Sequence, residues 1–485
     1  MNRPWRACPS PSSLPRRLVA YGAFHLRHSR NSRTSYALAV LITGLVSGCA
    51  TETYAPQVMD ARALMASFEG RSLESSDLNA FMAAQTDWDN RKWLSGRWDA
   101  GALERAAAFY SPQIAAARAD AAIANAALQS QIQRENPRLD FSVQHSRDPL
   151  FSESPWSVGF ALDVLVEFAD KRGLRKQIAL QDVQAIQLHE AQVAWDVKER
   201  VDRAHLALFL STSRLAIVQR QVEAGKHIQE MMQSRLALGE ITRVELEGQQ
   251  AEQARARIAL IAAQKAQEHR RHELAAAIGL PVAALDRAAL DFSDLEAIST
   301  DLPAAETLRH ELVLNRLDVR GALIDYDLSE LHLQLEVAKQ YPDVHLGPGY
   351  LFDQSQHKLT FGLAGMALPV LQHNEGPIAE AKAHRAAVQA RVEAVQAEAL
   401  GTLEVAERLA QAAAHQLPDA IAAEAALSHR LAASESAFAR GEEDRLDVEL
   451  MHLEVATVQL ERLEASAQLA QARLDLESAI QRPLP

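Results

Sequence analysis

Residues 156–167 read Trp-Ser-Val-Gly-Phe-Ala-Leu-Asp-Val-Leu-Val-Glu. In an extended chain Trp156, Val158, Phe160, Leu162, Val164 and Val166 share one face, and Ser157, Gly159, Ala161, Asp163 and Glu167 share the other. That period of two defines a strand with one apolar and one polar side. Just upstream, Leu139, Phe141 and Val143 alternate with Asp140, Ser142 and Gln144, so a hairpin is expected over 137–167. A second hairpin, over 342–370, carries Val344, Leu346, Tyr350 and Phe352, then Leu359, Phe361 and Leu363 against Thr360, Gly362 and Ala364. Each stretch is about ten residues, the length a tilted strand needs to cross a bilayer. Although the chain is only 5% aromatic, Phe141, Phe151, Trp156, Phe160, Phe168, Tyr341, Tyr350, Phe352 and Phe361 all gather in these short regions. Periodicity alone leaves open two soluble hairpins with a half-buried face. Four strands cannot close a barrel, whose smallest bacterial examples have about eight, so a membrane role requires several chains.

The sequence around the hairpins is helical. Ala, Leu, Glu, Gln and Arg dominate, a mixture that favours long helices with narrow apolar stripes. A first helix is expected over Ala102–Arg134 and again over Ala304–Lys339, each stopping before a proline that disfavours helix in the residue ahead of it. After Gly173 and after Pro377 come runs of about 60 residues almost free of Gly and Pro, ending at Gly239 and Gly441. At 1.5 Å per residue such a run spans on the order of 90–100 Å and needs lateral partners. From each glycine a helix of about 35 residues returns.

These parallels amount to a duplication at a spacing of about 202 to 205 residues. Glu135-Asn136-Pro137 matches Gln340-Tyr341-Pro342, and Trp156-Ser157-Val158-Gly159 matches Leu359-Thr360-Phe361-Gly362. Lys171-Arg172-Gly173 matches Asn374-Glu375-Gly376, and Leu238–Thr242 lines up with Arg440–Asp444. Leu274–Ile278 lines up with Leu476–Ile480. The organisation expected is a leader at 1–48, an extension at 49–95, repeat one at 96–283, a linker at 284–301 and repeat two at 302–485. The fold class is mainly α with a small β part.

The leader is basic: residues 1–48 hold seven arginines and no acids, so their removal takes the formal charge from -13 to about -20. An acidic body argues against non-specific nucleic-acid binding. Tyr36–Ser47 is an apolar run too short to span a bilayer and reads as the core of a secretory signal. Val46-Ser47-Gly48-Cys49 then resembles the lipobox of bacterial lipoproteins, which implies acylation of Cys49 and an outer-membrane destination, Ala50 rather than Asp being the next residue. An ordinary signal peptide with an incidental cysteine is the alternative.

Over residues 96–485 the sequence resembles the TolC-like outer-membrane efflux protein family. The resemblance is carried by Tyr341-Pro342-Asp343-Val344-His345-Leu346-Gly347-Pro348-Gly349-Tyr350, by Leu368-Pro369-Val370-Leu371 and by Asn374–Ala381. These segments are similar to the second-repeat hairpin of members serving heavy-metal or drug exporters of the resistance-nodulation-division class. Asn315–Arg320 resembles the segment that opens the family's second repeat. The resemblance implies a homotrimer in the outer-membrane lipid, with twelve strands forming one β-barrel and twelve helices a periplasmic α-barrel. It also implies an inner-membrane pump and a periplasmic adaptor as partners. The family's tip motif carries over to Leu238, Gly239, Thr242 and Val244, and in the second copy to Gly441, Asp444 and Leu446. Two departures stand out: the second tip is more charged (Gly441-Glu442-Glu443-Asp444-Arg445), and Phe168-Ala169-Asp170-Lys171 replaces small polar residues.

Enzyme chemistry has no visible home. Phosphate-loop, H-E-x-x-H and G-x-S-x-G patterns are missing, and His269 and His272 stand in a charged helical run without arranged partners, so neither a cofactor nor a metal site is expected. Asp163 and Glu167 are candidates for a lumen-facing position, either favouring cations through the local field or standing as ordinary wet residues of a barrel wall. Three functions remain open at this point: an efflux conduit, an exit duct for type I protein secretion, and a periplasmic coiled-coil lipoprotein without a pore.

Overall fold

The computed structural model describes residues 53–84, 97–147, 154–296, 298–353 and 356–484. The leader, Cys49 and Phe151 lie outside the described residues. Residues 63–485 form one unit and residues 1–62 another. Two short helices, α1 (Ala61–Glu69) and α2 (Ser76–Ala83), and a two-residue strand β1 (Arg97–Trp98) precede the first repeat.

Repeat one contains α3 (Ala100–Tyr110), α4 (Pro112–Ile132), β2 (Arg138–His145), β3 (Trp156–Val166), α5 (Lys171–Ala237) and α6 (Arg243–Ile278). The segment 284–301 lies between the repeats. It includes the end of α7 (Val282–Leu285), then β4 (Ala289–Leu290), which pairs in parallel with β1, and α8 (Ser293–Glu296). Repeat two runs α9 (Ala305–Asn315), α10 (Leu317–Ala338), β5 (Val344–Asp353), β6 (Gln356–Met366), α11 (Glu375–Ala439) and α12 (Arg445–Ile480). At 67 and 65 residues, α5 and α11 are each about 100 Å long. Pro418 sits exposed within α11 without ending it.

Where one opening helix is expected per repeat, the structure has two. In repeat one Ser111 is extended and its hydroxyl accepts the Ile114 N–H, while Pro112 supplies a first helical residue that has no N–H to satisfy. Repeat two breaks at Arg316 with nearly the same backbone angles but neither a capping side chain of its own nor a proline. Its support comes from across the molecule: the Leu317 N–H donates to Gln481 Oε1 at 2.5 Å, and Arg316 Nη1 donates to the Ala479 carbonyl at 3.0 Å.

The duplication extends into the core. Val197, Val201 and Leu208 on α5 are buried, and so are Ala399, Leu403 and Ala410, each 202 positions on, on α11. Leu274, Ala277 and Ile278 have buried counterparts in Leu476, Ala479 and Ile480 at the same offset. Leu103, Ala107 and Ile114 match Leu308, Leu312 and Val319, 205 positions on. Each buried leucine contributes roughly 1.5–3 kcal/mol, and the alanines between them let long helices approach closely. Repeat one also buries Leu73, Leu78 and Met82 from the extension and Leu285 from the segment after α6.

Charge ties the copies together where α5 meets α12. Lys198 lies 2.6 Å from Asp202, 3.4 Å from Glu104 and 3.9 Å from Glu477, while Arg203 joins Glu199 and Asp475 at 2.6 and 2.8 Å. Burial, reinforced by the charge on Asp202, pushes the Glu104 carboxyl from 4.5 up to about 8. A carboxyl with a raised folded pKa keeps its proton where the unfolded chain releases it. Its cost to stability is therefore absent below about pH 4.5, grows as pH rises and is complete above about pH 8. Glu104→Gln is expected to leave the melting temperature unchanged near pH 4.5 and to raise it near pH 8. Equal shifts at both pH values, followed by circular dichroism, would show that no proton is held there.

Candidate channel wall and docking tips

The four long strands form one antiparallel sheet in the order β2-β3-β5-β6. Opposite residues in such a sheet share a face. The register sets Phe141 against Phe160, Phe160 against Tyr350 and Tyr350 against Leu359, so one aromatic row crosses all four strands. Phe160 and Tyr350 stack with ring centres 5.3 Å apart. Leu139, Phe141, Val143, Trp156, Phe160, Val164, Leu359 and Phe361 on this face are all exposed. A soluble hairpin would bury such a face, yet among the described residues no element covers it. The outer edges of β2 and β6 likewise have no partner strand among the described residues.

The other face is polar. Arg138, Asp140, Ser142 and Gln144 lie on it from β2, and Ser157 and Asp163 from β3. Ser157 donates to Asp353 at 2.7 Å, and Lys358 pairs with Asp353 at 2.8 Å. Both acids picked out in the sequence are engaged: Asp163 with His345 at 3.0 Å, and Glu167, just past the end of β3, with Arg175 at 2.5 Å. The β3–β5 ladder is interrupted between the Ala161–Gly349 and Val164–Leu346 pairs. Pro348 falls in that gap, where its missing N–H breaks no bond to β3, and a Cβ on Gly347 would collide with the Leu162 carbonyl oxygen.

The rim where strands give way to long helices explains one departure seen in the sequence. Ala169 and Asp170 both adopt left-handed backbone, with φ of 57° and 53°, and turn the chain from β3 into α5. The buried Lys171 then reaches repeat two, donating to the Tyr341 carbonyl at 2.6 Å and to Asp343 at 2.8 Å. At the equivalent corner Asn374, φ 59°, donates to the Glu336 carbonyl at 2.7 Å. Sequence reasoning missed the Lys171–Asp343 pair because its partners are 172 residues apart.

At the far end of the long helices are the two glycine turns. Gly239 and Gly441 have φ of 79° and 78°, a conformation that glycine adopts without Cβ strain. The Glu240 N–H returns to the Arg235 carbonyl at 2.9 Å and the Glu442 N–H to the Ala437 carbonyl at 2.9 Å, closing each helix end. Thr242 and Glu245 cap α6 reciprocally, and the Thr242 N–H holds the Glu245 carboxyl below its usual pKa. Asp444 caps α12 by accepting the Leu446 N–H. The turns are joined, since Arg235 forms an ion pair with Asp444. Leu238 and Val244 are 75% and 76% exposed, and Leu446 is half-buried. His269 pairs with Glu273 at 3.2 Å on the same helix.

A four-stranded sheet at one end of a bundle of long helices is the fold of solved outer-membrane channels. VceC of Vibrio cholerae superposes with a TM-score of 0.63 at 17% identity, over 80% of this chain and 97% of that one. The outer-membrane channel OprN gives 0.65 at 15% identity, over 88% and 98%. The CmeC channel of Campylobacter jejuni gives 0.60 at 13%, over 89% and 93%. Residues 105–280 match the family described as outer membrane efflux protein. No curated protein sequence matches the chain.

A charge in the middle of the bare apolar face should prevent insertion. Phe160→Arg is expected to cost about 2–4 kcal/mol in the bilayer while leaving the helical far-ultraviolet spectrum intact. Undiminished heat-resistant trimer and undiminished bilayer conductance in the variant would show that this face does not meet lipid.

Proposed function

We propose that the protein is the outer-membrane subunit of a tripartite efflux system, a passive conduit from periplasm to exterior. The observation that carries this reading is the sheet with an uncovered apolar face and two unpaired edges. Backbone groups within hydrocarbon must all be paired, so β6 of one copy pairs with β2 of the next. Three copies then give twelve strands, with the polar face, including Asp163 and Glu167, turned to the lumen. The long helices form the periplasmic tunnel. Purified protein is expected to run as a heat-resistant trimer and to conduct ions across planar bilayers, whereas a monomer confined to the soluble periplasm would overturn the reading.

The finer assignments follow from chemistry at the two ends. Leu238 and Val244 expose apolar side chains beside Gly239 and Thr242, a surface suited to the helical hairpin of a periplasmic adaptor. Gly441, Asp444 and Leu446 form the second docking tip, which Arg235 holds against the first. The transport energy comes from an inner-membrane pump of the resistance-nodulation-division class. Acylation at Cys49 supplements the barrel as a lipid anchor, and Cys49→Ser is expected to abolish palmitate labelling without abolishing trimers. Retained label would disprove the anchor site.

Gly239→Val separates docking from assembly. A β-branched residue at positive φ costs roughly 1–2 kcal/mol, and nothing lies within 4 Å of the added Cβ, so the damage is confined to the tip. Export in a complementation assay is expected to fall while the trimer persists. Unchanged export would remove Gly239 from the docking surface.

A further inference from the structure

We propose that the Asp163–His345 pair makes the ion selectivity of the conduit depend on pH, with His345 as the titrating group. The inference rests on the conduit reading above and assigns a regulator to its wall. His345 Nδ1 lies 3.0 and 3.1 Å from the two carboxylate oxygens of Asp163, joining β5 to β3 and repeat two to repeat one. His345 stands opposite Leu165, which puts it with the odd-numbered residues of β3 on the polar face. The pair sits at an irregularity of the sheet. The β3–β5 ladder is interrupted beside Pro348, and β5 shifts register against β6 between His345 and Leu346. His345 is 41% exposed on this face and Asp163 only 19%.

The surrounding charges set the sign. On β2, Arg138 stands opposite Asp163, and on β6 the residue opposite His345 is Gly365, which brings no charge. Beyond the strand ends Glu167 is paired with Arg175 and Asp343 with Lys171. The other strand histidines are on the apolar face toward the opposite end: His145 packs on Trp156, and His357 on Tyr350 and Phe352. Among the described residues, His345 is thus the one histidine of the four strands on the polar face. With its imidazole neutral, Arg138 and Asp163 offset each other; with it protonated, each chain gains a positive charge, and a trimer gains three at one level of the pore. Imidazoles titrate between about pH 5 and 8, and rings of fixed charge on a pore wall select the permeant ion. Lowering the pH therefore moves the lumen toward anions.

The test is the reversal potential of the full-length protein in planar bilayers under a potassium chloride gradient, at about pH 8 and about pH 5. The wild type is expected to show a severalfold fall in the potassium-to-chloride permeability ratio on acidification, and His345→Gln to lose that fall at unchanged conductance. Asp163→Asn is expected to keep the fall but to start from a lower potassium-to-chloride ratio at about pH 8, because Arg138 then stands unopposed on the wall. A pH-independent reversal potential in the wild type, an equal fall in His345→Gln, or an unchanged starting ratio in Asp163→Asn overturns the pair as the regulator while leaving the conduit standing. Absence of conductance from every variant and the wild type overturns the conduit itself.

Discussion

In the conduit we propose, a strand in hydrocarbon must hydrogen-bond on both edges, and the rest of the molecule accommodates that constraint. One chain supplies four strands, paired internally in the order β2-β3-β5-β6 and open at both ends. Four cannot close, so the chain is complete only beside copies of itself. The apolar side chains on the outer face, Phe141, Phe160 and Phe361 among them, are exposed in the single chain, and in the proposed barrel they meet lipid. The helices then hold two separate hairpins side by side, which neither hairpin could arrange alone.

That holding is done at the rim and in the helical body by unlike means. At the rim, single polar contacts do the work: Lys171 crosses between the repeats to the Tyr341 carbonyl and Asp343, and Asn374 holds Glu336 within repeat two. In the body the linkage is distributed over alanine-rich packing and the charged seam of Glu104, Lys198, Asp202 and Glu477. Burial there raises both Glu104 and Glu477, so the seam carries less negative charge than its residues suggest.

Duplication provided the two halves, and divergence gave them different work. The core positions superimpose at offsets of 202 and 205 residues, but the solutions at equivalent points differ. Ser111 and Pro112 break the first opening helix locally, whereas Arg316 breaks the second with help from Gln481 and Ala479. Thr242 caps its helix through a reciprocal pair with Glu245, and Asp444 both caps its own and binds Arg235 of the other tip. His345 follows the same logic: it belongs to repeat two, and its partner Asp163 belongs to repeat one.

The amino-acid sequence by itself determined the features written in local periods and punctuation. Alternation over 156–166 specified a strand and its faces, long runs free of Gly and Pro specified α5 and α11, and Gly239 and Gly441 marked both reversals. All of these depend on neighbours a few residues away. Tertiary structure alone decided the features that depend on neighbours some two hundred residues away. The helix break at Arg316, the Lys171–Asp343 tie, the Arg235–Asp444 link and the His345–Asp163 pair have no signature in either local segment. The last three join one copy of the repeat to the other, the first ties the two ends of repeat two, and only the folded chain brings these segments into register.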